Sequence, residues 1–176
     1  LAAVLLVGDY WGNARPPGLT ADYVGGTKCA QCHATQTHRW EGSDHALAMQ
    51  LATPGTVLGN FDNASFTHFG VTSRMFRQGD KFFVETEGQT PGKLETFQVK
   101  FAFGVRPLQQ YMVEFPDGRV QVLPLCWDVK EKRWFHIYPD EPIKAGDPLH
   151  WTGFAQTWNH MCAECHSTDV HKNYNV

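Results

Sequence analysis

The sequence carries Cys-x-x-Cys-His twice, as Cys29-Ala30-Gln31-Cys32-His33 and Cys162-Ala163-Glu164-Cys165-His166. This pattern constrains the chain more than any other feature. Two residues between the cysteines place both sulfurs on one side of a helical turn, and the histidine follows directly beneath them. That geometry suits two thioethers on one edge of a porphyrin with the histidine as proximal iron ligand. The reading is two covalently bound haem c groups. Cys29, Cys32 and His33 hold one, and Cys162, Cys165 and His166 hold the other.

Two other readings were weighed. Four cysteines in two pairs can make a tetrahedral zinc site. Here, however, the first cysteines of the pairs are residues 29 and 162, far beyond zinc-ribbon spacing, and zinc does not require a histidine after each pair. Disulfide pairing of exported cysteines is the other. The fifth cysteine, Cys126, lies in Val122-Leu123-Pro124-Leu125-Cys126-Trp127 and is read as a buried free thiol.

A second axial ligand is needed for each iron in a low-spin site. Seven histidines and four methionines remain outside the motifs, which favours bis-His ligation. His45 leads the candidates because it opens a new helix after the break at Gly42. In one straight helix it would lie ~18 Å from His33, so the break either folds it back or aims it at the other haem. His150, at a loop-to-helix junction before the second motif, comes next, and His68 third. His136 alternates with Trp134 and Tyr138 and is read as structural or propionate-bonding. Met49 and Met161 are read as packing residues.

Pattern along the chain gives the expected architecture. Thr27 caps a helix carrying Cys29 to Trp40, and Ser43 or Asp44 caps another from Asp44 to Ala52. Residues 55–79 are mixed and rich in Gly, Asn and Thr. Strands are expected at 81–86, 94–103, 110–115, 119–127 and 134–138, with Pro116-Asp117-Gly118 as a hairpin turn. Helix returns over 151–165. The fold class expected is α+β: a small helical haem-binding lobe built from the N- and C-terminal CxxCH segments, with an antiparallel β-meander inserted at about 80–140. The domain reading is an apolar, extended segment over 1–22 and a single dihaem domain over 23–176.

Composition narrows the partners. A formal charge of −3 leaves no basic footprint, which argues against nucleic acid. The apolar start, Leu1 to Gly8, is too short to span a bilayer, which takes about 20 residues. It is read as a retained, ordered segment that needs cover from its own core, another subunit or a membrane. The expectations are redox partner proteins, a homo-oligomer or filament through the N-terminus, and a periplasmic or extracellular location.

The chain resembles the multihaem cytochromes c related to the cytochrome c-554 family, especially those whose haem region precedes tetratricopeptide repeats. The matching stretches include Tyr23-Val24-Gly25, Trp40-Glu41-Gly42-Ser43-Asp44-His45, Phe69-Gly70-Val71-Thr72-Ser73, Phe103 to Tyr111, Arg133-Trp134-Phe135-His136, His150-Trp151-Thr152-Gly153 and Met161 to Thr168. The resemblance implies electron transfer outside the cytoplasm through low-spin haems, with the histidine of Trp-x-x-Ser-x-His as a distal ligand, here His45. Such relatives continue into further CxxCH motifs. An electron relay is the leading function. A peroxidase or nitrogen-oxide reductase with one open iron, and a haem-bearing docking subunit of a larger complex, are the alternatives.

Overall fold

The computed structural model describes Gly8 and residues 22–173. The apolar start read as an ordered segment lies outside the described residues, Gly8 apart. The chain divides into two compact units, residues 1–37 and 38–176.

In the first unit, Gly26–Ala30 form α1, and α2, Ala34–Trp40, begins there and crosses the boundary. The single helix expected from Cys29 to Trp40 is therefore two pieces. Its motif lies at the junction between them, where Cys32 and His33 both donate their N–H groups to the carbonyl of Cys29, at 3.2 and 2.9 Å.

The second unit is built on antiparallel strands. They are β1 (Met49–Leu51), β2 (Ala64–His68), β3 (Val71–Gln78), β4 (Lys81–Glu87), β5 (Leu94–Phe103), β6 (Leu108–Glu114), β7 (Val120–Asp128) and β8 (Arg133–His136). The order β2-β3-β4-β5-β6-β7-β8 is a meander, and β1 pairs with the upper half of β5. The imidazoles of His68 at the end of β2 and His136 at the end of β8 stack at 3.7 Å, so the two outer strands nearly meet. The sheet is a nearly closed barrel.

This corrects the expected fold class. The chain is 35% strand and 16% helix, and no small helical haem lobe carries a β insert. The barrel is the body, and its strands start at Met49, well before residue 80. Beyond β8 the helical content is one 3₁₀ turn, Phe154–Gln156, followed by α3 (Trp158–Met161) and α4 (Ala163–His166).

Burial explains the closure. Alternate residues of each strand point inward. Met75, Val84, Tyr111 and Leu123 are fully buried in one cluster with Phe61 and Trp134. Phe61 packs edge-on against Phe82, Tyr111 and Trp134 at 5.1 to 5.4 Å. Such edge-to-face contacts add to the area term. Gly59 lets the chain cross this cluster, since a Cβ there would meet the Tyr111 hydroxyl and the Trp134 ring.

Two buried glutamines tie loops to the barrel. Gln109 accepts from Leu58 N and Tyr111 Oη at 2.7 and 2.8 Å and donates to the carbonyls of Thr56 and Gly104 at 2.9 and 3.1 Å. Gln121 donates to the carbonyls of Trp151 and Gly153 at 2.8 and 2.9 Å and accepts from the Thr157 hydroxyl at 2.6 Å. A fully satisfied buried amide holds its partners in register, because breaking one bond strands a group away from water.

Candidate functional site

The second motif is delivered to a fixed place by β7. Gln121 holds the segment 151–157, and Gln121 and Thr157 also form an isolated antiparallel bridge. Asn159, within α3, then accepts from Val120 N at 3.1 Å and donates to the carbonyls of Gly118 and Lys172 at 3.0 and 2.7 Å. The helix leading to Cys162 is thus bolted to the β6–β7 hairpin on one side and to the following chain on the other.

Within the motif, Cys165 and His166 donate to the carbonyl of Cys162 at 3.2 and 3.1 Å. This repeats the arrangement at Cys29. Both motifs therefore wind as one helical turn, the local geometry that two thioethers on one porphyrin edge require. Cys29, Cys32 and Cys165 are exposed, Cys162 is half-buried, and none of the five cysteines is in a disulfide. The disulfide reading has no support in this geometry. Burial, with Cys165 close by, pushes the Cys162 thiol up. Cys126 is buried as expected, and burial takes its thiol to about 12, so it stays protonated.

His166 packs edge-on against Phe103 at the end of β5, with ring centroids 5.7 Å apart. The same corner receives the His45 turn. Ala48 O accepts from Gly104 N at 2.6 Å, and Met49 pairs with Phe103. Arg106 Nε donates to both oxygens of Asp44, at 2.9 and 2.7 Å. That hydrogen bond, more than the charge alone, holds the Asp44 carboxyl below its ordinary value. Gly104 has φ +84°, and a Cβ there would stand 2.7 Å from Leu108 O, so only glycine makes this corner. The structure thereby brings the His45 segment and His166 to neighbouring parts of one strand end.

His45 is exposed, as is His166. The helix expected from Asp44 to Ala52 is a single turn: Ser43 Oγ accepts from Ala46 N at 3.3 Å, and Ser43 O from Leu47 N at 3.1 Å. Met49–Leu51 then leave as β1.

His150 and His68 lie elsewhere in the barrel. His150 is buried, with Nδ1 2.8 Å from Thr152 Oγ1 and Nε2 3.7 Å from a carboxylate oxygen of Glu87. His68 donates from Nε2 to Pro139 O at 3.1 Å and stacks on His136. His33 lies in the other unit.

The chain's residues fit a haem at the second motif. Besides the turn and the thiols, Trp158 Nε1, four residues before Cys162, is a buried donor with no protein acceptor among the described residues. Trp127 Nε1, in the barrel core, is in the same state, and at Trp158 a haem propionate could supply the missing acceptor. Exposed apolar side chains nearby in sequence, Phe154 and Met161, offer cover for a flat apolar group. Among the described residues no group of three or more His, Cys, Asp or Glu is gathered for a bare metal ion. A haem iron needs at most two such side chains.

Sequence reasoning passed over Gln121 and Asn159, which place the second motif. The signal for Gln121 was present: it alternates with Leu123 and Leu125, so a polar side chain falls on an inward face. Asn159 had no comparable mark.

The family described as cytochrome c554 and c-prime matches residues 28–60, a stretch running from just before Cys29 past His45. No curated protein and no solved structure matches the chain. The match supports a cytochrome c-type family at a coarse level, and with it covalently bound haem c and haem-based electron carriage. Among the described residues no helix is long and apolar enough to cross a membrane.

Proposed function

We propose that this chain is a dihaem c-type cytochrome of the multihaem group related to cytochrome c-554, relaying electrons outside the cytoplasm between redox partner proteins. Cys29 and Cys32 hold one haem with His33 as proximal ligand, and Cys162 and Cys165 hold the second with His166. His45 would supply the second iron ligand at the haem held by Cys162, Cys165 and His166, and another histidine would complete the first. The observation that carries this reading is the shared backbone turn of the two motifs, with exposed histidine at each. The placement of His45 rests on its turn and His166 both being fixed at the Phe103 corner.

Haem iron supplies a one-electron couple. The protein's part is to hold it. Gln121 and Asn159 fix the turn that presents the thiols, Phe103 orients the His166 ring, and the Arg106–Asp44 pair fixes the His45 turn. His68 gives Nε2 to Pro139 O and His150 gives Nδ1 to Thr152, and both serve the barrel in this reading.

The test is spectroscopic. Oxidised and reduced holoprotein should be wholly low-spin and should not respond to carbon monoxide, with two haems per chain by haemochrome assay. A high-spin signal or a carbon monoxide complex would overturn the relay and favour an enzyme with an open iron. One haem per chain would overturn the dihaem assignment.

A further inference from the structure

Away from the Phe103 corner, the mouth of the barrel where Glu87 pairs with Leu94 holds a cleft of about 390 Å³ that opens to solvent. That volume is in the range of small-molecule sites. Its floor is apolar: Trp151 and Leu125 are buried, and Val71 adds to the wall.

The charged and polar groups divide into those already occupied and those left over. Glu87 is nearly buried. One of its oxygens accepts from Gly92 N at 2.6 Å and the other lies 3.7 Å from His150 Nε2. His150 is closed on its other side by Thr152. His136 differs. Its Nδ1 lies 3.0 Å from Tyr138 O and 3.1 Å from Tyr138 N and bonds one or the other according to its tautomer, its face lies on His68, and Nε2 has no protein partner among the described residues. Burial, reinforced by His68, lowers its pKa to about 4, so the ring is neutral near pH 7. The Tyr138 hydroxyl receives only a long contact of 3.4 Å from Gln156. Lys144, exposed at the rim, is the one Lys or Arg on the wall.

We infer that this cavity binds a neutral, planar ring molecule carrying a hydroxyl or carbonyl at its edge. The ring lies against Trp151 and Leu125, and the edge group meets His136 Nε2 and the Tyr138 hydroxyl. An anion would face the Glu87 carboxylate inside the cleft, with only the rim lysine to offset it. A cation would find one oxygen of that carboxylate already accepting from Gly92 N and the other set beside the His150 ring, and would leave water for little return. The inference rests on the part of the proposed function that keeps His68 and His150 off the iron.

The experiment is titration calorimetry on oxidised holoprotein with 1-naphthol as the probe. 1-Naphthoate and 1-naphthylmethylammonium serve as charged molecules of similar shape. Saturable one-site binding of 1-naphthol is expected, at least about tenfold tighter than either ion. His136→Phe keeps a ring for the stack and removes both ring nitrogens, Nε2 at the edge and Nδ1 against Tyr138, and should weaken 1-naphthol by at least about tenfold, the scale of one lost hydrogen bond. Leu149→Trp, at an exposed rim position, should abolish binding without disturbing the core. Absence of saturable binding to the wild type, equal or tighter binding of either ion, or unchanged affinity in both variants would overturn the inference.

Discussion

The barrel carries histidines at two places, and they are in opposite chemical states. At the Phe103 corner, His45 and His166 are exposed, and neither ring has a hydrogen-bond partner among the described residues. At the Glu87 mouth, His68, His136 and His150 each spend a ring nitrogen on protein. The two strand ends are about 30 Å apart along β5 at ~3.3 Å per residue. An imidazole held through one ring nitrogen by a backbone or hydroxyl partner is oriented by the fold. One presented beside exposed thiols is available as a ligand. Counting histidines does not separate these groups, whereas asking which rings the protein holds through a hydrogen bond does.

The comparison can be broken most decisively at the corner. Replacing Cys162 and Cys165 together by Ser should remove one haem entirely, read as a one-haem drop in the mass of the denatured protein. Loss of both haems, or of neither, would contradict independent attachment. Next in size is the shared core. Leu123→Ala removes a fully buried side chain and should cost about 2–5 kcal/mol, measured by denaturant unfolding, with haem content unchanged. His45→Met should raise the potential of one haem by on the order of 0.1 V, a fraction of the span that axial ligation covers. His150→Gln and His68→Gln should leave both potentials in place. A shift in either would move the distal role to the mouth.

The smallest effect concerns pH. His136 has a folded pKa of about 4 against an ordinary 6.5. Between those values the unfolded chain binds more protons, so stability is intact above about pH 6.5 and declines as pH falls toward 4. The ring is half-buried, and solvent screening limits the drop to about 2–4 °C in Tm. His136→Phe should flatten the melting profile in that window. An unchanged profile would mean that other carboxyl or imidazole groups set the acid limb.

The legible part of the fold was the run from β4 to β8. There, period-two strands alternate with turns that name themselves, as Pro116-Asp117-Gly118 does, with Gly118 at φ 87°. The hairpin before it was hidden. Ala64 to His68 alternates well enough, but its turn is Phe69-Gly70, with φ of 43° and 85°. A left-handed turn opened by phenylalanine lacks the Asn-Gly signature that marks such hairpins. β1 was hidden for another reason. Ala46-Leu47-Ala48-Met49 are strong helix formers, yet pairing of Met49–Leu51 with β5 outweighs a helix too short to hold itself. Reading those helices as a lobe followed from that propensity and gave the wrong fold class. At the candidate site, the two motifs and their turn geometry were visible in the spacing alone. What positions the second one was not, because Asn159 acts on Gly118 and Val120, about forty residues earlier.

That anchoring has a rotational consequence. Thr157 and Asn159 are clamped to β7 and its hairpin, and the thiols follow within two turns of short helix. One residue inserted between Asn159 and Cys162 would turn both sulfurs and His166 by about 100° around the helix axis. The phase of the second motif is therefore set by the strand register of the barrel, and the count of residues between Asn159 and Cys162 matters as much as the motif itself.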